Sequence, residues 1–558
     1  QTCALPISLV RAAMIGLPLS LEKAAEALGL EEQKMSEGKA LIRLFCKPDS
    51  NGKRTLPEED LEKWGLFKQY NAQDVEVERS IDKKLSAYPS ANENEEKLYA
   101  LDQIINDKGV LVDLDMISKI TNYHTDYADK LIAEAIKISG IDNPKSVQQT
   151  RRYLKKMGID TKSVNKKTIK TILEIPFLDK EVRRFLEIKQ ELGKTSIAKY
   201  NAMERSVCSD GRVHGMLQFY GATTGRWAGR IVQLQNLPRN NMKDLDLARN
   251  VVASGDFELL EMLYESPVDV LSQLIRTAFI APKGYTFVVA DYSAIEARVI
   301  AWLAGETWRL DVFKTHGKIY EASASQMFHV PIKKITKDSP LRAKGKVAEL
   351  ALGYAGGAGA LKAMGAESMG LSEEDMKDLV KTWRKENANI VKYWYEVEDA
   401  AINAISNPGK VYRLARGVAF KMISSSLFLK LPSGRFLCYY SAKLRNNPKY
   451  RGLEITFMGV KSENNKWMRQ STYGGKLVEN ITQAVARDCL AAAMVRLHKA
   501  GYTPSFHVHD EVVIEVPNET VDEDIEKIKK IMSLKGVNWK EGLPLTAEAF
   551  TSKYYKKD

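Results

Sequence analysis

An α+β fold built round an antiparallel sheet is the class this sequence predicts, and three observations carry it. Strand-like runs at 285–290 (YTFVVA), 435–440 (RFLCYY) and 506–516 are few, and helical stretches separate them without a regular alternation of strand and helix. The stretch 95–205 reads as mostly helical. At 558 residues the chain exceeds one ordinary core, so several domains share it. A hydrophobic content of 44% and a charged content of 28% exclude a disordered chain. No apolar run of about 20 residues occurs, so no membrane-spanning helix is expected. Five scattered cysteines without a CxxC give neither a zinc site nor a disulfide framework, which favours a reducing compartment. The net charge of +12 favours a polyanionic partner.

Taken in chain order, residues 1–7 (QTCALPI) back-translate into the end of a common sequencing adapter, and we expect them to be an artefact on a truncated gene. Residues 8–85 mix short helical patterns with breaks at Asn51-Gly52 and Pro57. Between Lys145 and Lys199 there are 15 Lys and Arg against 6 Asp and Glu, most of the chain's positive excess. In SVQQTRRYLKKMG, Val147, Leu154 and Met157 are expected on one buried face, with Arg151, Arg152, Lys155 and Lys156 around the rest and Gly158 as a stop. One such helix is an ordinary solvated face. Several together favour a track for a phosphate backbone.

Three elements further on carry chemistry. In YTFVVADYSAIEARVIAWLAG (285–305) an apolar strand ends at Asp291 and a helix follows, with Ile295, Val299 and Trp302/Leu303 as its buried stripe. Asp291 fits either a functional carboxylate or a helix N-cap. SFHVHDEVVIEV (505–516) reads as a strand with Asp510 and Glu511 in its middle, where acids are costly unless paired or metal-bound. If the two strands pair, Asp291 and Asp510 converge, and magnesium would let both ionise. The alternative for Asp510 is a turn between two short strands. In RAKGKVAELALGY, Arg342, Lys346, Leu350 and Tyr354 recur every four residues and share a helical face suited to a triphosphate and a base. The glycines at 353, 356, 357 and 359 end that helix and do not form a Walker A loop.

Together these residues resemble family A DNA polymerases, with a phage-like style. DYSAIEAR resembles motif A, RAKGKVAELALGY motif B and HDE (509–511) motif C. TTGRWAGRIVQLQNLPRN (223–240) resembles the upstream primer-template motif, and ENITQAVARD (479–488) the helix before motif C. The resemblance covers about 205–558. It implies a right-hand polymerase fold: thumb at 91–205, first part of the palm at 206–304, fingers at 305–425 and second part of the palm at 426–558. It implies two magnesium ions on Asp291 and Asp510 with the Tyr292 carbonyl assisting, and Glu511 supporting the primer end beside His509. Glu296 would be the steric gate, Arg342 and the catalytic Lys346 would hold the triphosphate, and Tyr354 would close beside the templating base. Arg226, Gln235, Gln483 and Arg487 would lie along the primer-template minor groove or near the primer terminus. Two departures are Leu350, where the family has Phe or Tyr, and Tyr320, where many members have His.

YNAQDVEVE (70–78) resembles the third motif of a DnaQ-like 3′–5′ exonuclease, with Tyr70 and Asp74 as its pair. Its two upstream acidic motifs are missing, so 8–90 is expected to be a partial exonuclease domain, short of strands for its core. The implied activity is template-directed DNA synthesis from deoxynucleoside triphosphates on primer-template DNA. The implied setting is viral replication in a host cytoplasm, by a monomer whose processivity partner the sequence does not name. Two rivals are a single-subunit RNA polymerase, opposed by Glu296 and HDE, and a DNA-binding protein with a decayed site, opposed by the intact aspartates and cations.

Overall fold

Four antiparallel strands form the centre of the molecule, in the order Phe506–Val508, Glu511–Pro517, Tyr285–Tyr292 and Ala547–Ser552. The computed structural model describes residues 4–49, 51–90, 92–194, 197–447, 452–461, 463–534 and 538–557. The start of the 1–7 segment, expected to be adapter-derived, lies outside the described residues. The central strand is buried on both faces from Thr286 to Ala290, which its near-continuous apolar run requires. Helices Ile295–Ala304 and Gly474–Lys499 join the same core, with Val299, Trp302, Ile481 and Val485 all buried.

The run 506–516 is not one strand. It breaks at a two-residue turn, His509-Asp510, with His509 in the left-handed region at φ 54°. Asp510 is therefore released from the ladder, while Glu511 opens the next strand directly opposite Asp291. The pairing of the two acidic segments is as expected; the unbroken strand is corrected to a hairpin.

Helix Leu114–Ser139 starts at an Asp113 cap and ends at Gly140, φ 65°. Its distal half packs with Val147–Lys156, Lys166–Leu173 and Lys180–Leu192 round a separate small core that includes Leu131, Leu154, Ile172 and Phe185. Ser146, Asn165 and Asp179 cap the three short helices through their side chains. The expected buried stripe on the first of them needs correction. Val147 is 57% exposed and Met157 37%, whereas Thr150, Tyr153 and Leu154 face inward. Tyr153 stacks obliquely on Phe185, 4.7 Å between ring centres, and an aromatic buries more area than the terminal Val147 could.

A six-stranded sheet was not foreseen beyond its fourth strand. Val411–Arg413, Ala419–Ile423, Ser426–Lys430, Phe436–Asn446, Leu453–Lys461 and Lys466–Thr472 pair antiparallel in strict sequence order. The expected fingers–palm boundary at 425/426 cuts this sheet between the paired residues Ile423 and Ser426, so it is not a domain edge. The N-terminal helices Ala4–Met14, Leu21–Leu28 and Leu61–Leu85 pack on the sheet. Val77, Ile81 and Leu85, one helical turn apart, share a core with Phe428, flanked by Phe436, Tyr440 and Trp467. Among described residues 4–90 no strand forms, and these helices share their core with the sheet instead.

Candidate active site

The strand end places Asp291 where the helix cannot use it. That helix begins at Ile295 behind Ala294, so Asp291 is not its N-cap. The Tyr292 amide donates to the Asp510 carbonyl at 3.2 Å, which locks the two acidic segments side by side. Burial and the neighbouring Asp510 push the Asp291 carboxyl up to about 6, and burial also raises Asp510. Glu511 is 1% exposed and burial pushes it up to about 7. Its Oε1 accepts a 2.7 Å hydrogen bond from the Tyr555 hydroxyl, and Arg276 donates to that hydroxyl in turn. Lys557 Nζ stands 3.7 Å from Glu511 Oε2 and lowers all three carboxyls against these shifts.

Such a pair resists joint ionisation unless a cation intervenes. The donors on offer are carboxylate and carbonyl oxygens, which suit magnesium and do not suit softer ions. Among the described residues no three His, Cys, Asp or Glu side chains converge as a complete metal cage.

Asp510 and His509 form one side of a cleft of about 330 Å³. Opposite stands helix Pro340–Leu352, capped by Ser339 with Pro340 in its first turn and ended at Gly353. Arg342 and Lys346 both lie over the Tyr320 ring, 5.5 and 5.9 Å from its centre. Arg342 Nε also donates to Glu321 at 2.7 Å. Lys346 forms no ion pair among the described residues, and burial together with Arg239 and Arg342 lowers its pKa. Leu350 is 51% exposed on the cleft wall. Tyr354 lies just beyond the helix. Its hydroxyl donates to Glu296 at 3.1 Å, and Arg226 grips the same carboxylate at 2.6 Å. The helix is anchored behind by Glu349, which accepts from Arg309, Ser323 and Trp383 in the interior.

The expected duplex residues separate. Arg226 joins the cleft, and the Gln235 carbonyl accepts from His509 Nε2 at 3.2 Å. Both amide atoms of Gln235 are buried without a hydrogen-bond partner. Gln483 is half-buried and turned to Glu479 at 3.3 Å. Arg487 must be corrected. It is 1% exposed, its fork spent on Glu95 and its Nε on the Gly225 carbonyl, so it cannot reach DNA. Residues that the sequence reading passed over include Arg239, legible as the second-last residue of the quoted 223–240 motif. Lys557 and Tyr555 carried no sequence signal at all.

Tyr70 and Asp74 lie on helix Leu61–Leu85. Lys34 pairs with Asp74 Oδ2 at 3.0 Å and covers the Tyr70 ring at 4.9 Å. The other Asp74 oxygen is buried and unpartnered.

The family model for DNA polymerase family A matches residues 114–426. The DNA polymerase of Bacillus phage SP02 is 52% identical over 98% of this chain and 85% of its own length. DNA polymerase I of Pseudomonas aeruginosa is 26% identical over 58% of this chain and 28% of its own length. The thermostable DNA polymerase I of Thermus aquaticus is 26% identical over 50% of the chain and 28% of its own. The chain thus spans under a third of these bacterial relatives. A solved structure described as the POL domain of Pol1 from M. smegmatis in complex with DNA primer-template and dNTP superposes with a TM-score of 0.61 at 18% identity. It covers 98% of this chain and 81% of that one, and it shares the fold. No described helix is long and apolar enough to cross a membrane.

Proposed function

The chain belongs to DNA polymerase family A and carries out template-directed DNA synthesis, and from that premise we propose which of its residues do the work. The observation that carries the assignment is the register that sets Asp291 beside the Asp510 turn, at a cleft also lined by Leu350 and by Tyr320, the ring over which Arg342 and Lys346 lie. Asp291, Asp510 and the Tyr292 carbonyl would hold two magnesium ions. Bound there, the ions would lower the pKa of the primer 3′-OH and stabilise the triphosphate and the departing pyrophosphate. Lys346 and Arg342 offset phosphate charge that grows in the transition state. Arg342 holds Glu321 through Nε, which leaves its terminal nitrogens to meet a phosphate.

Glu296, fixed from two sides by Arg226 and Tyr354, crowds a ribose 2′-OH and favours deoxynucleotides. Glu511, braced by Tyr555, supports the primer end with His509, and Gln483 faces the duplex, whereas the buried amide of Gln235 does not reach it as the protein stands. The basic helices between 145 and 199 track its phosphates. The 52% identical phage relative supports a role in phage DNA replication, within the host cytoplasm. Primer extension with deoxy- and ribonucleoside triphosphates supplied separately tests the whole reading. Extension confined to deoxynucleotides is expected; equal use of ribonucleotides would return the RNA polymerase alternative.

Leu350 gives a sharper expectation. A flexible aliphatic group on the cleft wall offers no flat face to a sugar or base. Leu350→Phe should raise the single-turnover incorporation rate several-fold, roughly 1 kcal/mol of added contact, and change the ratio of 3′-deoxy to normal nucleotide used. Equal rates and ratios in both proteins would remove Leu350 from the sugar contact.

We further propose that residues 8–90 are a partial DnaQ-like exonuclease domain without catalysis of its own. Asp74 is engaged by Lys34, and two-metal hydrolysis needs several free carboxylates. A mismatched primer with magnesium and no nucleotides should therefore stay intact. Degradation that disappears in Asp74→Ala would show a working nuclease.

A further inference from the structure

The loop that carries Arg226 is held from behind by buried charges. It joins the short paired strands Leu217–Gln218 and Ala228–Gly229. Each of the two carbonyls just before Arg226 has its own buried arginine. Arg435 Nη2 donates to Thr224 O at 3.0 Å, and Arg487 Nε donates to Gly225 O at 2.9 Å. The residue after it, Trp227, donates its indole N–H to Asp102 at 2.9 Å, and its ring lies 4.8 Å from the Arg487 guanidinium.

The arginines are themselves fixed. Arg487 makes a two-pronged contact with Glu95, and Arg435 Nε meets Asp488 at 2.8 Å. Two cations face two anions, all at least nine-tenths buried, so their charges balance. Charges buried this deeply are costly unless geometry is close to ideal, and they hold their partners to one arrangement. The three segments that contribute are the helix Glu93–Lys108, the turn before strand Phe436–Asn446, and helix Gly474–Lys499. None of these four side chains lines the catalytic cleft.

We propose that Arg487 is a positioning residue for nucleotide selection: by fixing the Gly225 carbonyl it sets Arg226 against Glu296, and so holds the gate that rejects a ribose. This rests on reading the cleft as the nucleotide site. A lysine at 487 keeps the charge for Glu95 but has one nitrogen, so it cannot serve Glu95 at both oxygens and Gly225 as well. Arg226 would then be free to swing, leaving Glu296 with Tyr354 alone.

The test is a double-mutant cycle on the ratio of single-turnover kcat/KM for a deoxynucleotide to that for its ribonucleotide. Arg487→Lys should lower the ratio about tenfold in the parent and leave it unchanged in an Arg226→Ala background, because the effect passes through Arg226. Melting temperatures measured alongside show that both proteins are folded. Should Arg487→Lys not fold, Glu95→Gln, which keeps a hydrogen-bond partner for the guanidinium, is expected to give the same pattern. An equal drop in both backgrounds, or an unchanged ratio in the folded single variant, would overturn the proposal. Failure of the cleft reading itself looks different: Arg226→Ala alone would keep the parental rate and ratio.

Discussion

Replacing Asp510 or Asp291 by Asn is expected to cut primer extension about a thousandfold or more, some 4 kcal/mol of transition-state stabilisation, while duplex affinity stays within about twofold. Asn keeps the shape of each side chain and the Tyr292–Asp510 backbone contact, so the fold is preserved. What is lost is the charge that would hold the ions. DNA binding draws on cations elsewhere, and one acid fewer does not weaken it. A gel-based extension assay and an equilibrium duplex titration read the two quantities. Extension within tenfold of the parent would remove that residue from the metal site.

The same acids give this prediction a second readout. In the ion-free protein Asp291 moves from 3.8 to about 6 and Glu511 from 4.5 to about 7. Both shifts are upward, so the folded state binds more protons than the unfolded one in that window, and stability falls as pH rises. The contribution is complete below about pH 4 and is lost as pH passes through 6 to 7. Magnesium should therefore raise the melting temperature more at pH 8 than at pH 5, and Asp291→Asn should remove most of that difference.

Lys346→Ala carries the next largest effect. Lys346 is crowded by Arg239 and Arg342 and has no acid of its own among the described residues. Like charges held together in a cleft favour a polyanion at that place. Removing the ammonium should lower the single-turnover incorporation rate about a hundredfold and weaken nucleotide binding several-fold. Arg342→Ala should cost less, because the neighbouring Glu321 carboxylate already offsets part of the Arg342 charge. Unchanged rate and affinity in Lys346→Ala would mean that this face of the helix is merely solvated.

The parts of the site that the sequence made legible are those whose chemistry is local. Asp291 follows an apolar strand, and the four-residue spacing from Arg342 to Tyr354 is a helical spacing, so both could be placed without knowing their neighbours. The turn at His509-Asp510 is the alternative that the sequence leaves open, and the Val-rich flanks on both sides, which run in phase, favour one long strand over it. Arg487 was misjudged for a different reason. An arginine reads as a surface residue, and its burial depends on Glu95, 392 positions earlier. The six-stranded sheet escaped because its outer strands lack a buried apolar alternation: Val411–Arg413 buries no residue, Lys466–Thr472 buries only Thr472, and Leu453 and Val460 are exposed, whereas Phe436–Asn446 opens on an aromatic-rich run. Lys557 could not be found at all, since nothing near it in sequence signals the carboxylates it faces.

The packing of the N-terminal helices on that sheet bears on how a minimal enzyme could be made. A shortened form starting near residue 91 would leave Ile423, Phe428, Phe436, Tyr440 and Trp467 without the side chains that now cover them. A contiguous apolar flank of that kind promotes self-association in expression and storage. The helices are thus worth keeping as a solubilising cover whatever chemistry they carry, and a trimmed variant would need polar replacements along that face.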